Sequence, residues 1–116
     1  MKYCICLFLS FIYCKSLFAS PGKNEFFNSL YSQAFFLEQC ISRNKIKNTN
    51  IHNNTMNKAR SLGYSIDNFW DAGKKGAKGY VFDMIKNNWI KVSFTQVNCK
   101  FVQREQTKFF KTLSRY

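Results

Sequence analysis

The chain opens with Lys2, an apolar run from Tyr3 to Cys14, a second lysine at Lys15 and small residues at Ala19 and Ser20. This opening constrains everything after it. The order is that of a secretory leader cut after a small residue. A membrane-spanning helix needs roughly 20 uninterrupted apolar residues, and Lys15 interrupts this run. Left uncleaved, the leader would be a short anchor tethering the same domain to a membrane. Cleavage after Ala19 makes residues 1–19 a signal peptide and leaves residues 20–116 as one domain, periplasmic or secreted. Cys4, Cys6 and Cys14 leave with the leader, so a five-cysteine sequence becomes a two-cysteine protein. Cys40 and Cys99 remain, and in an oxidising compartment an even pair is expected to form a disulfide. On the chain-entropy account, closing a loop of about 60 residues stabilises a fold by roughly 4 kcal/mol. Metal binding fits poorly, because two distant cysteines and the single His52 give no usual ligand spacing.

The rest of the chain reads as all-α, a bundle of about four helices. Ten phenylalanines and two tryptophans remain after the leader, and they recur at spacings that make them core rather than a stacking platform. A first helix is expected from about Asn24 to Asn44, with Asn24 as N-cap. Phe27, Leu30, Ala34, Leu37 and Ile41 mark its buried stripe, and Cys40 lies near that stripe's edge. Residues 44–54 are rich in asparagine and lysine and read as a loop. A short second helix should end at Leu62, with Gly63 as its stop. Ser65 would cap a third helix, which has Asp67 in its first turn and Gly73, Gly76 and Ala77 in its middle. A mid-helix glycine costs about 1 kcal/mol relative to alanine, so two of them imply a close helix crossing or a break at residues 73–79. A fourth helix is expected from Phe94 to Leu113. Cys99, Val102, Phe109, Phe110 and Leu113 share one face of it, interrupted by Gln106. Residues 89–97 alternate enough to pass for a strand, but a lone strand has nothing to pair with, so a turn is expected there.

Reactive groups are sparse. Six carboxylates are spread from Glu25 to Glu105, and one histidine is left to serve any Cys-His or Ser-His arrangement. Asp67 and Asp71 share a helix face, where two carboxylates ordinarily complement the dipole. The segment from Gly73 to Gly79 lacks both the spacing and the preceding strand of a phosphate-binding loop. Asn53-Asn54-Thr55 fits a glycosylation sequon, relevant only in a eukaryotic secretory pathway. The expectation is a protein that is not an enzyme and uses no cofactor.

Charge leaves two readings, a partner or simply a solvated surface that follows from a lysine-rich and asparagine-rich composition. Without Lys2 and Lys15, the 18 basic side chains become 16 against 6 acidic ones, a net charge of +10. Arg43, Lys45 and Lys47 cluster after the first helix, and Lys74, Lys75 and Lys78 cluster on the third. Lys100, Arg104, Lys108, Lys111 and Arg115 give the fourth a basic face. Such a field draws acidic proteins, anionic lipid or polyanions, and export argues against nucleic acid. The expected contact surface is Lys45, Lys47, Asn50, His52 and Asn53 of the loop with Lys74, Lys75 and Lys78. A membrane surface and a homodimer stay open. So does the alternative of a cationic exported protein lying on anionic membrane, or an accessory of an envelope assembly.

Two cysteine-centred segments carry a resemblance. Leu37-Glu38-Gln39-Cys40-Ile41 has the form L-x-x-C-I, and Val92-Ser93-Phe94 through Cys99 has the form V-x-F-x-x-x-x-C. In order, spacing and length the chain resembles the type VI secretion amidase immunity proteins, a family of small, periplasmic, all-helical inhibitors. The resemblance implies a protein that binds an injected peptidoglycan amidase and occludes its Cys-His cleft.

Overall fold

The computed structural model describes residues 24–64 and 66–115. The leader, its cleavage site and the cap expected at Ser65 lie outside the described residues. Helix α1 (Asn24–Ser42) is the axis of the fold. A helix lying on a surface buries one stripe. Here Phe26, Phe27, Leu30, Tyr31, Ala34, Phe36, Leu37 and Cys40 are all buried together with Ser29, Ser32 and Gln33. They point in nearly every direction, so α1 must be wrapped by the rest of the chain.

Helix α2 (Ile51–Ser61) ends as the sequence predicts. Gly63 takes φ +93°, its N–H donates to Arg60 O, and the Tyr64 N–H donates to Ala59 O. That pair of bonds satisfies carbonyls that the last turn would otherwise leave open. The Tyr64 ring then stacks on Phe27 at 4.2 Å between centroids. A 3-10 turn (Ile66–Phe69) brings Phe69 against Tyr31, and helix α3 (Trp70–Ala77) follows. The single helix expected from Ile66 is therefore a 3-10 turn followed by a two-turn α-helix.

The all-α expectation is overturned by an antiparallel hairpin, β1 (Tyr80–Asp83) and β2 (Asn88–Lys91). The alternating segment at Trp89 does have a partner. It is the Tyr80-Val81-Phe82 run shortly after α3, a stretch for which no strand was expected. Gly79, at φ +97°, turns the chain out of α3. Asp83 Oδ1 accepts from the N–H groups of Ile85 and Lys86, and Asn87 adopts φ +55°, so the reversal is built locally. Two strands alone are marginal in water. These are held because α1 grips the outer edge of β1: the Phe82 N–H donates to Ser32 Oγ (3.2 Å), and Ser29 Oγ donates to Phe82 O (2.7 Å).

Helix α4 (Gln96–Leu113) starts two residues later than expected, because Thr95 caps it by accepting from the Asn98 N–H at 3.1 Å. The expected disulfide joins Cys40, near the end of α1, to Cys99, in the first turn of α4, with 5.9 Å between their Cα atoms. It packs with Phe36, Leu37 and Val102 in one cluster, and Phe94 stacks on Phe36 at 4.7 Å. A second, larger cluster gathers Phe26, Phe27, Leu30 and Tyr31 with Met56, Ala59 and Leu113. Among the described residues no helix is long and apolar enough to cross a membrane, and the disulfide is compatible with an oxidising exported compartment.

Candidate functional site

Charge defines the first candidate surface. Only two ion pairs form among the described residues, Lys74–Asp71 at 3.7 Å and Lys108–Glu105 at 3.0 Å. Both are i,i+3 pairs on a helix surface, a kind that adds little to stability. Among the described residues Lys45, Lys47, Lys75, Lys78, Lys91 and Lys100 enter no ion pair.

The loop 43–50 is framed by two asparagines in the left-handed region, Asn44 at φ +60° and Asn50 at φ +61°. Asparagine tolerates that conformation better than other residues with a Cβ. Between them Lys45 and Lys47 line an open hollow of about 780 Å³, together with Asn48, Gln96, Lys100 and Gln103. Its lining contains three lysines and no carboxylate. Gln103 Nε2 donates to Thr49 Oγ1 at 3.4 Å, linking the loop to α4. Lys100 was not among the residues expected here. The signal that locates it is the disulfide: Lys100 follows Cys99, Lys45 lies one helical turn and a reversal beyond Cys40, and the bridge brings both to one place.

Other members of the expected surface are distributed differently. Asn50 and Asn53 are exposed, but neither lines the hollow. The reading of residues 51–54 as loop is corrected, because α2 already begins at Ile51. His52 falls on its inner face with Thr55, Met56 and Ala59, at helical spacing, and is only 6% exposed. It is core and out of a partner's reach. Lys74, Lys75 and Lys78 do not line the hollow, and Lys74 pairs with Asp71 on its own helix. Lys75 Nζ sits 4.5 Å from the Trp89 ring centroid, and Lys91 Nζ donates to Lys78 O at 3.2 Å. The lysines of the loop and those of α3 thus do not share the hollow.

The second candidate is a groove of about 560 Å³ that sequence reasoning missed, because one of its walls is the hairpin. Val81, Ile90 and Val92 form that wall, α4 supplies Phe101 and Val102 opposite, and Phe26 and Gln33 of α1 contribute between them. Phe101 is 52% exposed, and Ile85, at the hairpin turn, 83%. Gln33 is buried, yet its Oε1 has no hydrogen-bond partner among the described residues. Among the described residues no three His, Cys, Asp or Glu side chains gather as a metal site. Compared with protein families, curated proteins and solved structures, the chain matches none.

Proposed function

We propose that this chain is an exported binding protein that holds an acidic protein partner against its basic surface and inhibits it by covering it. The observation that carries this reading is the hollow where Lys45, Lys47 and Lys100 converge with no carboxylate among its lining residues. Three like charges held together are unfavourable in the free protein and are relieved by an acidic partner, which also gains on-rate from the field. The first turn of α4, at Gln96, adds the partial positive charge of its free N–H groups.

The first target to test is a peptidoglycan amidase in the periplasm. Support comes from the two segments that resemble the amidase immunity family, which are the two that the disulfide joins. The hairpin is a departure from that family's all-helical pattern. A protein inhibitor of this kind buries roughly 1,600 Å² in total with its target, and the loop 43–50 with the neighbouring turn of α4 would form the centre of the contact.

The test is a titration of the exported protein with amidase effectors, followed by interferometry at two salt concentrations. A stoichiometric complex that survives high salt, and whose association slows at least tenfold when Lys45, Lys47 and Lys100 are changed to glutamate, supports the proposal. Failure to bind or protect against any amidase, with binding only to anionic vesicles and its loss at physiological salt, would make the chain a cationic surface binder instead.

A further inference from the structure

The two edges of the hairpin are treated unequally. On the β1 edge, the outward N–H and C=O of Phe82 are both taken by serines of α1. The β2 edge has no such cover. Tyr80 pairs with Lys91, Val81 with Ile90 and Phe82 with Trp89, and the Val92 N–H donates to Gly79 O at 2.7 Å. Hydrogen-bonded and open pairs alternate along an antiparallel ladder. The Val81–Ile90 pair is therefore bonded within the hairpin, and the backbones of Trp89 and Lys91 face outward. Among the described residues nothing accepts from or donates to those outward groups. Open edges of this kind are usually covered or blunted. Here charged and polar side chains, Lys91 and Asn88, flank the edge, and β2 keeps the outward groups of Trp89 and Lys91 free.

The two faces of the hairpin beside that edge also differ. Tyr80, Phe82, Trp89 and Lys91 share the face that carries cations: Lys75 Nζ lies over the Trp89 ring and Lys91 Nζ over the Tyr80 ring. Val81 and Ile90 share the other face and form the wall of the apolar groove. The groove's volume falls within the roughly 300–1,000 Å³ of sites that hold a ligand.

We propose that the free edge of β2 and the groove together bind an extended peptide segment of a protein partner, which adds to the hairpin as a third strand. Side chains of a strand alternate between faces. One set of the guest's side chains therefore enters the groove between β2 and α4, and the other lies beside Lys75 and Lys91. The matching guest alternates apolar with acidic residues, and its main-chain groups bond to Trp89 and Lys91. Main-chain bonds supply affinity in strand addition, and the pockets for alternate side chains supply selectivity. Gln33 Oε1 offers an acceptor to a tryptophan or tyrosine at one of the inward positions. A second copy of this chain fits the site less well, since it would bring another strongly basic surface to a basic face. A lipid chain could fill the groove but would leave the edge unbonded. The inference does not depend on the partner being an amidase.

The experiment uses the oxidised, exported protein labelled with ¹⁵N and three capped seven-residue peptides. One alternates glutamate with valine and phenylalanine, one has the same composition in scrambled order, and one is the alternating peptide with N-methylated amides on its bonding edge. The expected result is saturable binding of the alternating peptide, slowed hydrogen exchange at the Trp89 and Lys91 amides, and shifts at Val81, Ile90 and Phe101. N-methylation, or Lys91→Pro in the protein, should weaken binding about tenfold by removing main-chain bonds. Proline is tolerated at an edge position whose N–H faces outward. If that variant misfolds, the N-methylated peptide still decides the matter. The proposal is overturned if the scrambled or N-methylated peptide binds as well as the alternating one, or if shifts map to the loop 43–50. It is equally overturned if no peptide binds at millimolar concentration, or if the edge amides become protected through self-association alone.

Discussion

Gly76→Ala tests the helix crossing on which the hairpin depends. In an ordinary mid-helix position this change stabilises by about 1 kcal/mol. Here a Cβ built on Gly76 would lie 2.0 Å from Ser32 O and 2.7 Å from Ser32 C, both backbone atoms of α1. Real Cβ atoms stay outside about 3.0 Å, so α1 and α3 must separate by about 1 Å. No rotamer change can relieve a clash with backbone. The separation loosens the packing of Ala72 and Gly73 on α1 and strains the Ser29 and Ser32 bonds to Phe82. Overpacking of this kind costs about 3 kcal/mol, and with a urea slope near 1.5 kcal/mol/M the midpoint should fall by about 2 M. Gly73→Ala provides the internal comparison, because its Cβ would meet the Phe35 ring at 3.0 Å, and a ring can move. Gly63 has open space around it, so Gly63→Ala tests only the cost of its positive φ. Urea unfolding of the oxidised proteins should rank Gly76→Ala as much the worst. A Gly76→Ala protein at least as stable as the parent would refute the crossing.

Breaking the Cys40–Cys99 bridge, by reduction or by a double change to serine, should cost about 4 kcal/mol for cysteines with a sequence separation of 59. A thermal melt that does not change with reductant would contradict this. Removing the grip on β1 should also be costly. Ser29→Ala and Ser32→Ala each leave a Phe82 backbone group unbonded in a buried place, for about 1–3 kcal/mol apiece by urea unfolding. Tyr31 is fully buried, its hydroxyl has no partner among the described residues, and burial pushes its pKa up to about 12 against a smaller lowering by Arg60. The unfolded phenol ionises near 10 while the folded one keeps its proton, so this contribution is intact below pH 10 and lost as pH rises to about 12, by roughly 2–3 kcal/mol. Tyr31→Phe should be at least as stable at neutral pH and should fall less steeply over that alkaline range. Equal slopes in the two proteins would dismiss the assignment.

Much of the helical frame was legible because its signals are local. Helix α1, the stop at Gly63, the stripe of α4 and the cysteine pair follow from spacing and from residues with one conformational use. The glycines at 73 and 76 left a close crossing or a break open, and both occur: Gly76 meets Ser32 of α1, and the helix ends at Ala77. The hairpin was illegible for a physical reason: four-residue strands carry too little period to declare themselves, and β1 is stabilised by serines some 50 positions earlier. Gly79 and the reversal at Asp83 were the available clues. His52 was misplaced because Asn50 starts α2 through a left-handed backbone rather than a side-chain cap, a start that capping rules do not register. Lys100 could have been grouped with Lys45 by reading outward from the two cysteines. The groove could not be found before the hairpin was.

The two candidate surfaces share α1 as support but rest on different contacts, and that makes them separable. The disulfide cluster lies beneath both: Ile46 of the loop 43–50 packs on it, and so do Val81 and Val92 of the hairpin region. The contact of Gly76 with Ser32 lies beneath the hairpin alone, since α3 lines neither the hollow nor the groove. Loss of the disulfide should therefore disturb backbone amide shifts in both regions. Gly76→Ala, studied where it is still folded, should move shifts at β1 and β2 while those of residues 45–49 and Lys100 stay in place. Binding should follow the same division. A partner held by Lys45, Lys47 and Lys100 keeps its affinity in the Gly76→Ala protein, whereas a strand added to β2 loses it. If the variant weakened both alike, the basic hollow and the hairpin groove would have to be two parts of one continuous interface.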